Sequence, residues 1–192
     1  CEAMHKEYGS TICGICELGQ PRSVVRDYYN EVYPDLDMRR LEKYNGQPSS
    51  VPASGYTVTA DTLAHRMLHG IARLDIPVVI CSNSPMFHVK RVLNRIGLAD
   101  LNVAAYVTPE QCGGLTKREP KFWDALLRLY PRENFHMTLI DDNALNIETV
   151  EKLGMTGIRV TPSASFADCL AKFLRILPDR DTPRQATRQQ AA

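Results

Sequence analysis

The chain has 192 residues, 44% hydrophobic and 23% charged, with a formal net charge of +1. That length holds one domain with a core of ordinary size and room for a small appendage. The near-neutral charge excludes a global field that recruits nucleic acid or an anionic membrane, and no apolar run approaches a membrane span.

The opening CEAMHKEYG lacks the apolar centre of a signal peptide and does not start with Met, so it reads as the start of a processed or partial product. Six cysteines lie at 1, 13, 16, 81, 112 and 169. Their spacing is irregular, which speaks against a disulfide framework and for free thiols in a reducing cytosol. Cys13 and Cys16 form a lone C-x-x-C without two further ligands at matching spacing, so a zinc site is disfavoured.

SVVRDYYNEVY places Val24, Val25, Tyr28, Tyr29 and Val32 at helical spacing, and Pro34 ends that helix. YNGQPSSVPASG (44–55) is a loop or insertion. ADTLAHRMLHGIARL (60–74) is a helix with Leu63, Met67, Leu68, Ile71 and Leu74 on one side. Its His65 and His69 stand at i, i+4 without a third ligand, the pattern of a wet helix face.

From residue 76 strands and helices alternate. IPVVIC (76–81) is a buried strand, and SPMFHVKRVLNRIGL (84–98) a helix with Gly97 near its C-terminus. VAAYV (103–107) is a strand. EPKFWDALLRLY (119–130) is a helix with Pro120 in its first turn. HMTLI (136–140) is a strand, ALNIETVEKLG (144–154) a helix closed by Gly154, GIRV (157–160) a strand and SASFADCLAKFLRIL (163–177) a last helix. The polar segment 178–192, with Arg180, Arg184 and Arg188, reads as a disordered tail. Alternation at this spacing predicts βαβ units on a parallel sheet, whose ligands sit at the carboxyl ends of the strands.

Three segments stand at those ends. Ser82-Asn83-Ser84-Pro85 follows the first strand and offers a hydroxyl and backbone N–H groups to an anion; the plain alternative is a helix N-cap. Lys117 follows Gly113 and Gly114 in a loop, where an ammonium can balance phosphoryl charge; the plain alternative is a solvated lysine. Asp141 and Asp142 end the strand 136–140. Adjacent carboxylates repel, and a bound Mg²⁺ would turn that repulsion into attraction, whereas an N-cap accounts for one aspartate only.

An apolar strand then Ser-Asn, a loop lysine three residues before a proline, and an apolar strand then Asp-Asp-x-x-x-Asn resemble motifs two, three and four of the haloacid dehalogenase-like (HAD) hydrolases, in order, over about residues 70–162. KEYGSTICGICE and the tyrosine-rich helix after it also resemble the helical cap of the pyrimidine 5′-nucleotidase branch. The resemblance implies a Rossmann-like three-layer α/β fold, with a partial helical cap over 1–60, the core over 61–177 and the tail over 178–192. It implies a cytoplasmic, Mg²⁺-dependent phosphatase that acts on a small phosphorylated substrate, nucleoside 5′-monophosphates in that branch, through a phospho-aspartate intermediate. Carried over by position, Ser82 would hydrogen-bond the phosphoryl oxygens, Asn83 would help through its backbone, and Lys117 would balance charge. Asp141 and Asp142 would hold Mg²⁺ directly or through water, and Asn146 would buttress their loop.

The family's first motif, Asp-x-Asp after an apolar strand, is absent from these residues. Asp35-Leu36-Asp37 follows a helix and Pro34 and reads as a solvated turn. In the family that first strand lies between the strands here at 76–81 and 136–140. Losing a strand of about 5 residues would leave amides unpaired on both inner edges at about 1–3 kcal/mol each. That sum exceeds the net stability of a typical domain. Either an upstream segment, or a rejoining of the two edges, or another chain must answer for the gap. A non-catalytic phosphate- or partner-binding module is the alternative function.

Overall fold

The computed structural model of the chain describes residues 18–34, 36, 38, 41 and 59–177. Cys13 and Cys16, Asp35 and Asp37, the loop 44–55 and the tail with Arg180, Arg184 and Arg188 lie outside the described residues, as does most of the expected cap. The described elements make a mixed α/β structure with short parallel strand pairs and helices. Among the described residues no helix is long and apolar enough to cross a membrane.

Helix α1 (Arg22–Val32) starts after Pro21 and lies against α3 (Met86–Arg95). Its last carbonyls, left open by the end of the helix, are taken by one guanidinium. Arg91 Nη1 donates to the Tyr33 carbonyl at 2.6 Å and Nη2 to the Pro34 carbonyl at 3.3 Å. Tyr33 meets His88 and Phe87 edge-on, with ring centroids 4.6 Å and 5.8 Å away. Aromatic contacts therefore dock this helix, where the sequence pattern showed only its apolar spacing.

Helix α2 (Thr59–Arg73) leads to β1 (Val79–Cys81), then α3 and β2 (Ala105–Val107). The helix expected over 119–130 is a 3₁₀ turn at Pro120–Trp123 that runs on into α4 (Asp124–Leu129). Then come β3 (Thr138–Asp141), α5 (Ala144–Lys152), β4 (Thr156–Arg159) and α6 (Phe166–Ile176). Gly97 and Gly154 follow α3 and α5 with φ of 75° and 74°, a conformation that costs glycine little. The next amides, Leu98 and Met155, donate to the Leu93 and Val150 carbonyls and close both helices. His65 and His69 are half-buried rather than wet, and His69 Nε2 lies 3.7 Å from the Asp100 carboxylate.

Alternating strand side chains reach two opposite helical faces. Val79, Cys81, Met137 and Leu139 pack with Phe122, Trp123, Leu126, Val150 and Met155. Phe122 and Trp123 are 0% and 1% exposed, and burial of rings this size contributes on the order of 3 kcal/mol each. On the other face Val78 and Ile140 pack with Ala64 and Ile71 of α2 and Ala167 and Leu170 of α6, while Ile80 meets Val89 and Leu93 of α3.

β1 pairs in parallel with β2, and β3 with β4. The sequence predicts one sheet; the described residues instead form two pairs, with no backbone hydrogen bond from β1 to β3. A cavity of about 380 Å³ lies between them, lined by residues 76–81 and 136–140 and roofed on both faces by helices. β1 and most of β3 are consequently only half-buried, although helices cover them. The two edges have not rejoined.

Candidate phosphate and metal site

The site is built at the carboxyl ends of β1 and β3, and Lys117 joins them. Its backbone N–H donates to Asn83 Oδ1 at 2.9 Å, just past β1. Its ammonium stands 2.5 Å from Asp141 Oδ2, at the end of β3. Its carbonyl accepts from Trp123 Nε1 at 3.0 Å, so a buried ring of the core fixes the lysine loop. Glu119 holds the same loop from within by accepting from the backbone and hydroxyl of the buried Thr116, both at 2.6 Å. Thr149 of α5 donates to the Arg118 carbonyl at 3.1 Å.

The two aspartates occupy different environments. The Asp141 side chain is 5% exposed and that of Lys117 14%. Asp141 Oδ1 accepts from the Asn143 amide and from Asn146 Nδ2, each at 2.9 Å, and Oδ2 faces Lys117. The cation that neutralises Asp141 is therefore a lysine ammonium. Adjacent repulsion, the expectation from the sequence, acts on a carboxylate that already has its counter-charge. Asp142 is exposed, and among the described residues no hydrogen bond or ion pair engages its carboxylate; Arg159 Nε donates to its backbone carbonyl at 3.2 Å. Neither aspartate caps α5. Asn143 does so, its Oδ1 accepting from the Leu145 amide at 2.9 Å.

Ser82 is half-buried, and its Oγ accepts from the Ser84 amide at 3.0 Å, which leaves the hydroxyl proton for another acceptor. Asn83 acts through its side chain on Lys117, beyond the backbone role expected for it. The start of α3 is less open to an anion than the sequence implied. Glu110 Oε1 already accepts from the Met86 amide at 2.8 Å, and its other oxygen holds the Thr108 hydroxyl. An anion here would use Ser82, the Asn83 amide and Lys117 rather than the helix terminus. Burial pushes the Cys81 thiol up to about 12 against the pull of Lys117, so the sulfur below this loop is a neutral wall.

Sequence reasoning missed Glu110, Trp123 and Tyr33. The Tyr33 hydroxyl hydrogen-bonds the Ser84 side chain, and burial raises its pKa. The lone tryptophan three residues after Pro120 was the available signal for the loop anchor.

A hard cation would find one open carboxylate in this site. Among the described residues no group of three or more His, Cys, Asp or Glu could enclose a metal. Mg²⁺ needs no such cage; it keeps waters and takes one or two carboxylates with phosphate oxygens. The exposed Asp142 carboxylate, unengaged among the described residues, is an oxygen donor of that kind. A scan against protein-family models and a search of curated proteins find no match to this chain.

Proposed function

We propose that the chain carries the phosphate- and Mg²⁺-binding side of a HAD-like phosphatase site, for hydrolysis of small phosphate monoesters, with nucleoside 5′-monophosphates as the substrate class. The observation that supports this most is the meeting of Asn83, Lys117 and Asp141, which come from three separate segments, at one end of the parallel strands. Helices on both faces of the strands fit a Rossmann-like three-layer core. The unpaired cysteines 81, 112 and 169 fit a reducing, cytoplasmic setting.

In this reading Ser82 donates its hydroxyl proton to a phosphoryl oxygen. Lys117, oriented by Asp141, places a fixed positive charge where negative charge develops. Asn143 and Asn146 hold Asp141 in place, and so set the ammonium. Asp142, with Asp141 beside it, would hold the metal directly or through water. Bound Mg²⁺ supplies Lewis-acid stabilisation of the phosphoryl oxygens. Tyr29, Tyr33 and Phe87 form an aromatic group beside Ser84, which favours a planar base on the leaving group. The Asp-x-Asp nucleophile of the family is not in these residues, so hydrolysis belongs to a longer protein that carries it.

The second reading is a phosphate- or partner-binding module without catalysis, favoured by binding residues that are assembled where the nucleophile motif is missing. Expression with the upstream coding sequence, assayed for Mg²⁺-dependent phosphate release from nucleoside monophosphates, separates the two. Release that is lost on changing an upstream Asp-x-Asp supports the phosphatase; no such motif upstream, or binding without release, favours the module.

A further inference from the structure

The loop after β1 is held from two sides. Its Ser82-Asn83-Ser84-Pro85 run has the composition of a helix cap, yet Pro85 stands at the cap position of α3 and makes no side-chain cap bond. The Met86 amide goes instead to Glu110 Oε1 at 2.8 Å. Among the described residues neither serine hydroxyl caps α3, and both are used within and above the loop. Ser82 Oγ accepts from the Ser84 amide at 3.0 Å, a turn closed between residues i and i+2. The Ser84 side chain hydrogen-bonds the Tyr33 hydroxyl. Glu110 reaches the loop from the segment after β2, whereas Tyr33 reaches it from the end of α1.

Tyr33 is itself fixed. Its carbonyl accepts from Arg91 Nη1 at 2.6 Å, and its ring stands edge-on to His88, Phe87 and Tyr28 with centroids 4.6, 5.8 and 5.9 Å away. Arg91, His88 and Phe87 all belong to α3, the helix that this loop feeds. The ring is therefore set against the first turns of α3, and its hydroxyl meets the residue just before them. A serine hydroxyl has one proton and two lone pairs. The Ser84 amide occupies one lone pair of Ser82, so the direction left to the Ser82 proton depends on where that amide stands. A shift of Ser84 turns the Ser82 proton with it.

We propose that Tyr33 is a positioning residue of the phosphate site: by holding the Ser84 side chain it sets the Ser84 amide, and through that amide the direction of the Ser82 hydroxyl. Docked α1 is then part of the anion site without touching the anion. This rests on the phosphate reading of Ser82 given above. It gives Tyr33 a task separate from contact with a base, because it acts on the phosphoryl end whatever the leaving group, and it should therefore show with inorganic phosphate alone.

The test uses the 192-residue chain, with inorganic phosphate titrated in excess Mg²⁺ by calorimetry and exchange of the Ser84 amide followed by NMR. Tyr33→Phe keeps the ring and removes the hydroxyl. Ser84→Ala removes the other end of that bond and keeps the amide. Each should weaken phosphate binding about three- to tenfold and speed Ser84 amide exchange by a similar factor. The double variant should bind phosphate no more weakly than either single one, since both break the same link. Mg²⁺ affinity without phosphate should hold in all of them. In a Ser82→Ala background Tyr33→Phe should change phosphate affinity by less than about twofold, because it acts through that hydroxyl. A general loosening of α1 would weaken binding in that background too. Phosphate affinity that Tyr33→Phe and Ser84→Ala leave intact, unchanged Ser84 exchange, an equal loss of Mg²⁺ affinity, or a full Tyr33→Phe effect without the Ser82 hydroxyl overturns the positioning role alone. No phosphate binding by folded wild type overturns the phosphate reading, and this role with it.

Discussion

Replacing Lys117 by methionine keeps most of the stem that packs through the loop and removes the charge. Asp141 would then hold a negative charge on a side chain 5% exposed, with the Asn143 amide and Asn146 Nδ2 as its remaining donors. Breaking a buried pair on one side costs about 3–5 kcal/mol. The two surviving hydrogen bonds place this case near the lower end, about 3 kcal/mol, or roughly 6–12 °C of melting temperature for a chain of this length. Asp141→Asn should cost less, about 1–2 kcal/mol, because the lysine can turn its ammonium toward water while the Asn oxygen still accepts from Asn143 and Asn146. The adjacency of Asp141 and Asp142 taken alone gives the opposite sign, since removing one of two repelling charges would leave the fold as stable or more so. The double variant should be less destabilised than the sum of the singles, by about 2 kcal/mol. Urea unfolding of the four proteins at pH 7 measures this directly. Additivity within about 0.5 kcal/mol would refute the ion pair as the element that ties the two strand ends together.

Three other perturbations follow from local geometry. A methyl group at Gly157 would stand 2.6 Å from Ile147 Cγ2, so Gly157→Ala should lower stability by about 1–3 kcal/mol in urea melts; an unchanged midpoint would mean that α5 moves freely off β4. Burial first, and the Arg91 guanidinium second, hold the His88 imidazole below its ordinary pKa. Its folded value lies under its unfolded one, so its contribution is complete above the ordinary histidine range and is lost as pH falls through the folded value. Amide protection of α1 should therefore weaken on acidification to pH 5, with His88→Gln removing that dependence; identical protection in α1 at pH 7 and pH 5 in the wild type would contradict it. The Cys81 thiol, pushed up to about 12, should react with iodoacetamide at pH 8 far more slowly in the native chain than in urea, and equal rates would show that the fold does not desolvate it.

The strands and helices from residue 76 onward were legible because apolar runs, helical spacing and Gly or Pro punctuation agree there. IPVVIC and HMTLI contain β1 and β3, although the strands begin only at Val79 and Thr138, and the glycines at 97 and 154 sit where the local chemistry puts them. What the sequence left open was long-range. Lys117 and Asp141 are 24 residues apart, and nothing local marks them as partners rather than as a surface lysine and a metal ligand. The cap of α5 was assigned to an aspartate as the plain alternative, yet Asn143 is one residue nearer the helix and its amide oxygen does the same work without charge. Glu110 could not be seen as the acceptor at the start of α3, because that contact spans 24 residues through a loop. The division of the strands into two pairs was visible only as a missing motif; its physical form, two parallel edges facing an apolar cavity, needed coordinates.

The central claim, a Mg²⁺ and phosphate site at Ser82, Lys117, Asp141 and Asp142, is tested most directly by titration calorimetry of Mg²⁺ and inorganic phosphate into the wild type and Asp142→Asn. Asp142 is exposed and unengaged among the described residues, so this substitution should shift stability by no more than about 0.5 kcal/mol. The expected result is Mg²⁺ binding in the wild type, strengthened by phosphate, and weakened at least about tenfold in Asp142→Asn while the melting temperature holds. Equal Mg²⁺ affinity in the two proteins, or no binding heat from folded wild type, would contradict the assignment.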